Sequence, residues 1–406
     1  MTPPDGAGRS LEERAHGRDR HRQPQSQSQS QSQPQPVRPA SGFHALPVIR
    51  VDRLTDTAVG VTLGVPGELA ATFAHRPGQH IAVRHHLGGP GAGEEIRRSY
   101  SICRPPLSAP PGTLRIVVKQ LGPGGFGEHA LGTLAVGDTL EVGPPRGGFT
   151  LVDRSGAHHV LIGGGSGITP LMSMAAAALR DDPECRVSLL YANRTTRSIL
   201  LAEELTDLKD RYTDRFFVLH VLSREERESP VLSGRIDAVK LPRLLAGLGA
   251  RPDDDRAHFY LCGPWGLVES AGEVLRRLGV TPSRVRRELF TTAAEAQDPP
   301  ARPAPGTGTA ASTGSARITV TLNGRSTEAD MTPQDSSLLA AVLRHRLETP
   351  YSCRDGLCGS CRARVVEGEV VLHRRHALSR EEEEAGYTLP CQARPMSDHV
   401  RLDFDV

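Results

Sequence analysis

Four cysteines near the C-terminus constrain this chain more than any other feature: Cys353, Cys358, Cys361 and, far downstream, Cys391. The spacing C-x4-C-x2-C with a distant fourth thiol is a ligand spacing for a [2Fe–2S] cluster. Three thiolates on one tight loop wrap most of such a cluster, and a fourth from another strand closes the cage. Gly356 and Gly359 fall inside the loop from Tyr351 to Cys361. There the backbone must bend around sulfide and turn N–H groups toward sulfur. The competing readings are a structural zinc site and unliganded thiols. Zinc sites commonly show two C-x2-C knuckles, and here there is one.

Three further thiols, Cys103, Cys185 and Cys262, bring the total to seven. An odd remainder beside a thiolate cluster argues for a reducing cytoplasm and against a disulfide framework. The 406 residues suffice for two to four domains, and a net charge of +2 gives no reason to expect nucleic acid or a membrane surface as partner. No apolar run is long enough to span a bilayer, and no apolar h-region opens the chain, so a cytoplasmic protein is expected. The histidine pairs His85-His86 and His158-His159 read as surface or packing residues, since no carboxylate stands at metal-ligand spacing beside them.

Composition divides the chain. Residues 1–42 are polar, with a Gln/Ser repeat, and hold too little apolar surface to fold. Residues 293–316, rich in Pro, Gly, Ala and small polar side chains, read as a flexible linker. Residues 43–152 carry short alternating runs between Gly/Pro turns, among them His80–Arg84, Leu114–Lys119 and Thr139–Val142, the pattern of a small antiparallel barrel. Residues 153–292 alternate continuous apolar strands with helical segments, the pattern of a buried parallel sheet in an α/β domain. In residues 317–406, Asn323-Gly324 between alternating runs predicts a two-residue hairpin, and Ser337 to Arg346 is apolar at helical spacing. Ser379 and Glu382 fit a capping box for a short acidic helix.

Two motif sets lie in the larger body. Arg98-Ser99-Tyr100-Ser101 follows Pro77-Gly78-Gln79-His80 and precedes Pro123-Gly124-Gly125-Phe126-Gly127. Arg98 offers a fork suited to phosphate. Further on, strand His159–Ile162 runs into Gly163-Gly164-Gly165-Ser166-Gly167-Ile168-Thr169-Pro170 and a helix expected from Leu171 to Leu179. Small residues before a helix N-terminus let backbone N–H groups meet a pyrophosphate. Cys262-Gly263-Pro264 ends a later strand, and Arg287-Glu288-Leu289-Phe290 follows it.

These segments resemble the ferredoxin–NADP reductase superfamily, and the C-terminal module resembles the β-grasp of plant-type ferredoxins. The resemblance implies a multidomain chain: an antiparallel β-barrel FAD domain, an α/β parallel-sheet NAD(P) domain and an α+β β-grasp ferredoxin domain. It implies FAD on Arg98, Ser99, Tyr100, Ser101, Gly124, Gly125, Phe126 and Gly127. It implies NAD(P)H on Gly164, Gly165, Ser166, Gly167, Thr169, Asn193, Arg194, Arg197, Cys262, Gly263 and Pro264. Ser101, Cys262 and Glu288 are then the catalytic candidates, with Tyr100 covering the flavin. Relatives carry Ser where this chain has Gly127. Arg194 and Arg197 follow the second parallel strand with no acid until Glu203, so charge favours NADPH over NADH.

NAD(P)H carries two electrons, a flavin divides the pair, and a [2Fe–2S] centre takes one at a time. In this order the modules resemble reductase components of bacterial oxygenases, here those serving phenylacetyl-CoA 1,2-epoxidation, with a di-iron oxygenase as acceptor. Reductases for 3-ketosteroid 9α-hydroxylases and acyl-CoA desaturases share the same order. A redox-sensing switch protein is the alternative of another class. Arg354, Arg362 and Arg364 beside the cysteine loop offer a basic docking rim, with ordinary solvated charge the alternative reading of any one of them.

Overall fold

The computed structural model describes residues 42–86, 95–103, 111–122, 125–290, 316–346, 348–378 and 380–406. Nearly all of the N-terminal tail and of the linker, together with Gly124 and Ser379, lies outside them.

The first body is antiparallel: β1 (His44–Thr55), β2 (Ala58–Gly64), β3 (His80–His86), β4 (Glu95–Ser101), β5 (Thr113–Lys119) and β6 (Thr139–Val142), with α1 (Gly125–Gly132) between the last two. The strand order is β4-β3-β6-β1-β2-β5, and an Ile102–Ile116 bridge joins the two edges into a barrel. Alternate positions such as Leu46, Val48, Ile81, Val83, Ile116 and Val118 fill its core. Gly78, at φ +98°, is required where the chain enters β3, because a Cβ there would sit 2.1 Å from the Phe149 carbonyl oxygen.

The second body contains β7 (His158–Gly164), α2 (Ile168–Asp181), β8 (Arg186–Asn193), α3 (Ala202–Arg211), β9 (Phe216–Leu222), α4 (Lys240–Gly247), β10 (Ala257–Gly263), α5 (Trp265–Arg277) and β11 (Val285–Leu289). All five strands are parallel, in the order β11-β10-β7-β8-β9. The strands are apolar throughout because both faces are covered. In β7, Leu161 packs toward α2 and α3, while Val160 and Ile162 pack toward α4 and α5. Helix α2 starts at Ile168, one turn earlier than the sequence suggested, because Pro170 fits the first turn, where its missing N–H costs nothing. The order reverses between β7 and β10, so their C-terminal ends form a topological switch point, the usual ligand position in such sheets.

The third body consists of β12 (Arg317–Leu322), β13 (Arg325–Asp330), α6 (Leu338–Leu343), β14 (Ala363–Glu367), β15 (Val370–Leu372), α7 (Arg380–Glu384), β16 (Tyr387–Thr388), β17 (Ala393–Pro395) and β18 (His399–Asp403). Its sheet order is β13-β12-β18-β14-β16, with β12 and β18 parallel. The predicted hairpin is present: Leu322 pairs with Arg325, and Asn323 and Gly324 take φ of 58° and 71°. The Ser337 hydroxyl caps α6 by accepting the Ala340 N–H at 3.3 Å, although the helix stops at Leu343. Among the described residues no helix is long and apolar enough to cross a membrane.

His158 and His159 are packing residues, 8% and 4% exposed. His158 Nε2 lies 2.8 Å from the Ser188 hydroxyl. Burial lowers both pKa values to about 4, helped by Arg186 for His158 and by His258 for His159. The unfolded chain takes up these protons near pH 6.5 and the folded chain only near 4, so their contribution to stability is complete above about pH 6.5 and drains away as pH falls toward 4. A shift of this size corresponds to at most roughly 3 kcal/mol per histidine. The urea midpoint should therefore drop between pH 7 and 5, and drop less in a His158→Gln/His159→Gln variant. Parallel pH profiles would move the effect to other groups.

Candidate functional site

At the switch point, β7 and β10 run out side by side. Gly163 and Gly164 end β7, Gly165 turns at φ +54°, and α2 begins after Gly167. A Cβ on Gly167 would lie 2.2 Å from the Cys262 carbonyl oxygen, and one on Gly263 would lie 2.9 Å from the Gly164 nitrogen. Backbone therefore lies on backbone here, and only glycine fits. The Tyr191 hydroxyl donates to the Gly165 carbonyl at 2.9 Å, and Thr169 Oγ1 donates to the Ser166 carbonyl at 3.0 Å. These bonds hold an open Gly-rich loop at a helix N-terminus, which suits a pyrophosphate. Pro264 is the residue before α5.

Asn193 ends β8, and its buried Nδ2 has no partner. Arg194 and Arg197 follow it and are exposed, without an ion pair among the described residues. The absence of an acid before Glu203 does not hold in three dimensions. Asn193 is in register with Leu222 of β9, so the loop after β9 lies beside the loop after β8. Glu225 accepts from the Thr196 N–H at 3.0 Å and the Thr196 hydroxyl at 2.7 Å. Those bonds, with the nearby charges of Arg227 and Arg197, lower its pKa. A negative charge thus stands beside Arg197, and only the parallel register could have revealed it.

Cys262, on β10, is fully buried, and its thiol faces Glu288 Oε2 of β11 at 3.9 Å. Burial first, then Glu288, pushes the thiol pKa up. Burial first, then negative charge at Cys358, raises Glu288 from 4.5 to about 8. The other oxygen of Glu288 lies 3.9 Å from His80 Nδ1 on the barrel.

The barrel strand β4 carries Arg98, which is exposed, with Nη1 donating to the Arg97 carbonyl at 3.0 Å. The Tyr100 ring packs on Phe126 at 5.8 Å, and burial raises its phenol pKa. Ser101 is 3% exposed and its hydroxyl has no partner, an orphan donor of the kind a bound cofactor satisfies. Gly125, at φ +78°, opens α1. Phe126 is a barrel core residue. Gly127 has a packing reason for being glycine, since a Cβ would meet Gln120 Cα at 3.1 Å and the Lys119 carbonyl oxygen at 3.2 Å.

The four cluster cysteines converge in two pairs. Cys358 is the neighbour that most strongly raises the Cys353 pKa, and Cys391 the one that most strongly raises that of Cys361. Among the described residues no three His, Cys, Asp or Glu side chains gather around a single-ion position. Two thiols per iron is what a two-iron cluster requires, whereas a mononuclear site needs one tetrahedron. The Asp355 and Leu357 N–H groups point at Cys353 Sγ, each at 3.4 Å, and the Ser360 N–H points at Cys358 Sγ at 3.5 Å. Gly356 and Gly359, at φ +74° and +67°, make the turns. The residues present fit a [2Fe–2S] group.

The cysteine loop is enclosed by the other two bodies. Leu357 is buried in the α4/α5 face of the parallel sheet, with Cys353 against the same cluster. Ser360 Oγ lies 3.1 Å from His80 Nε2 and 3.4 Å from Ser99 Oγ. Nearby, the Arg97 guanidinium stacks between Tyr351 at 4.1 Å and Phe43 at 4.9 Å, and the Tyr351 hydroxyl donates to Glu95 at 3.3 Å. A cavity of about 570 Å³ opens at this seam. The expected basic rim is narrower than the sequence implied. Arg354 and Arg364 are exposed, but Arg362 is paired with Glu382 and stacked on Tyr387.

Residues 48–151 match the oxidoreductase FAD-binding domain, 161–273 the oxidoreductase NAD-binding domain and 320–396 the 2Fe-2S iron-sulfur cluster binding domain. The chain is 36% identical over 370 residues to one of the subunits of 1,2-phenylacetyl-CoA epoxidase from Escherichia coli (strain K12), covering 89% of this chain and 98% of that protein. The chain belongs to the ferredoxin–NADP reductase superfamily, among members ending in a [2Fe–2S] ferredoxin domain. Within that superfamily it is 33% identical to the ferredoxin reductase component of 3-ketosteroid-9-alpha-monooxygenase from Rhodococcus rhodochrous, over 87% of this chain and 94% of that one. Its fold is similar to that of phthalate dioxygenase reductase, with a TM-score of 0.53 at 22% identity over 89% of this chain and 98% of that one. It is an oxidoreductase with FAD-binding, NAD-binding and [2Fe–2S] domains, a reductase component in type.

Proposed function

We propose that this reductase takes hydride from NADPH, or less readily NADH, and delivers electrons singly to a cytoplasmic di-iron oxygenase, the phenylacetyl-CoA 1,2-epoxidase. One observation carries the reading: the cysteine loop, the barrel strand ending in Ser101 and the Cys262–Glu288 pair meet at one buried junction around His80. A chain that converts a hydride into single electrons needs its three centres adjacent. Bound FAD would supply the change from two-electron to one-electron chemistry.

The residues divide as follows. Arg98, Ser99, Tyr100, Ser101 and Gly124 to Gly127 hold FAD. Gly164 to Gly167, Thr169, Asn193, Arg194, Arg197, Gly263 and Pro264 hold the nucleotide. Cys262, Glu288 and Ser101 line the hydride path, and Cys353, Cys358, Cys361 and Cys391 ligate the cluster. The domains run 43–152, 153–292 and 317–406, with residues 293–316 as a tether. The epoxidase assignment is supported by the 36% identity to a component of such an enzyme over nearly its whole length.

Anaerobically purified protein should contain FAD, with iron and sulfide in equal amounts. Reconstitution decides the partner. The chain should support phenylacetyl-CoA epoxidation by the di-iron oxygenase with NADPH, and should serve a 3-ketosteroid 9α-hydroxylase oxygenase at least about tenfold more slowly, a barrier difference of ~1.4 kcal/mol. Preference for the steroid oxygenase, or service to neither, would remove the epoxidase assignment. For nucleotide choice, Arg194→Ala/Arg197→Ala should raise the KM for NADPH about tenfold and barely alter that for NADH. Two exposed charged contacts are together worth on the order of 1–2 kcal/mol after solvent screening. Equal rises for both nucleotides would show that neither guanidinium senses the 2′-phosphate.

A further inference from the structure

His80, on the barrel, touches or nearly touches a functional group of each of the other two bodies, Ser360 and Glu288. It is 3% exposed. Its backbone is fixed in both directions, the His80 N–H donating to the Arg146 carbonyl at 2.9 Å and the Arg146 N–H donating to the His80 carbonyl at 2.8 Å. Its ring rests where Gly147 has no side chain: a Cβ there would be 2.9 Å from His80 Nδ1. In register it stands opposite Ser101. Nε2 lies 3.1 Å from Ser360 Oγ, which in turn lies 3.3 Å from Cys358 Sγ. A hydroxyl has one proton and can accept others. A sulfur that ligates iron carries no proton and only accepts. When Nε2–H donates to Ser360 Oγ, the Ser360 proton is directed to Cys358 Sγ, and the line His80–Ser360–Cys358 is satisfied at each step.

We propose that His80 is a positioning residue for flavin-to-cluster electron transfer. It pins the cluster loop to the barrel strand beside Ser101 and, through Ser360, supplies a hydrogen bond to the Cys358 sulfur. This rests on the cluster ligands and flavin site proposed above. His80 ends the Pro77–His80 segment and Ser360 lies within the cysteine loop, but the sequence assigned neither a role and could not bring together residues 280 positions apart. A hydrogen bond to a ligating sulfur stabilises the added negative charge of the reduced cluster and raises its potential. Hydride delivery to the flavin does not pass through Ser360, so the two half-steps should separate.

The test uses the full-length holoprotein and the variants His80→Leu, His80→Gln, Ser360→Ala and His80→Leu/Ser360→Ala. The cluster midpoint potential is measured by anaerobic dye titration followed by EPR, and flavin and cluster reduction are resolved by stopped-flow. His80→Leu and Ser360→Ala should each lower the potential and slow flavin-to-cluster transfer about tenfold, and in Ser360→Ala flavin reduction by NAD(P)H should stay within about twofold of wild type. The double variant should be no worse than either single, since both break the same line. His80→Gln, which keeps a donor, should recover most of both losses. Additive losses, or a potential unmoved in Ser360→Ala, would overturn the proposal. If His80→Leu does not load its cofactors, Ser360→Ala compared with His80→Gln decides it by the same two readouts. A wild-type protein lacking FAD or an iron–sulfur EPR signal would instead overturn the cofactor reading beneath it.

Discussion

Cys391→Ala is expected to give a protein that keeps FAD and NAD(P)H-driven ferricyanide reduction but has no iron–sulfur EPR signal. Its cytochrome c reduction should fall on the order of a hundredfold, equivalent to ~2.7 kcal/mol of lost transition-state stabilisation. Cys391 is 7% exposed, follows β16 and meets Cys361, whereas the other pair belongs wholly to the loop. Removing it leaves one half of the cage with a single sulfur. The flavin and nucleotide sites draw their side chains from the barrel and the parallel sheet, so electrons can still leave from the flavin to a small oxidant. Loss of ferricyanide reduction in proportion would contradict this division of labour between the bodies.

The second large effect is expected from Gly167→Ala. The backbone at Gly167, φ −61°, suits any residue, so the substitution acts by contact alone. The new methyl would meet the Cys262 carbonyl oxygen at 2.2 Å, its carbon at 2.5 Å and the Gly263 nitrogen at 2.8 Å. All three are backbone atoms of a central strand and cannot swing away. Relief requires the Gly-rich loop to part from the end of β10, which moves the pyrophosphate cradle and Cys262 together. Overpacking of this kind costs roughly 1–3 kcal/mol in stability. A displacement of about 1 Å in a reacting pair costs on the order of a hundredfold in rate. Flavin reduction by NAD(P)H should fall by that factor while dithionite still reduces both centres. A variant with wild-type nucleotide kinetics would show that the two strand ends can separate without harm.

The sequence was most informative where a short stretch determines its own geometry. Asn323-Gly324 adopts the left-handed pair that its hairpin needs. The parallel strands were legible because burial on two faces leaves no room for polar alternation, as at Val160, Leu161 and Ile162. The grouping of three cysteines on one tight turn follows from loop spacing, but their division into pairs does not. What stayed hidden depends on how bodies or loops are brought together. Glu225 reaches Thr196 through strand register, and His80 reaches Ser360 through the docking of a ferredoxin module on a barrel. Neither contact leaves a periodicity or a local motif. Arg362 was misread for the same reason: its partner Glu382 comes from a later helix, so a cation expected to face a partner is already neutralised within its own domain.

The enclosure of the cysteine loop has a consequence for traffic through the molecule. Leu357 is sealed into the parallel-sheet core and Ser360 is held by the barrel, while Arg354, although exposed, lies over the Tyr351 ring, which itself packs on Arg97 of the barrel. Two flanks of this short loop are therefore taken up by the chain's own domains. An outside protein must meet the loop on the surface that those contacts leave uncovered. The loop is thus wired inward by its contacts, and exchange with a large partner is confined to the side that the other two bodies do not cover.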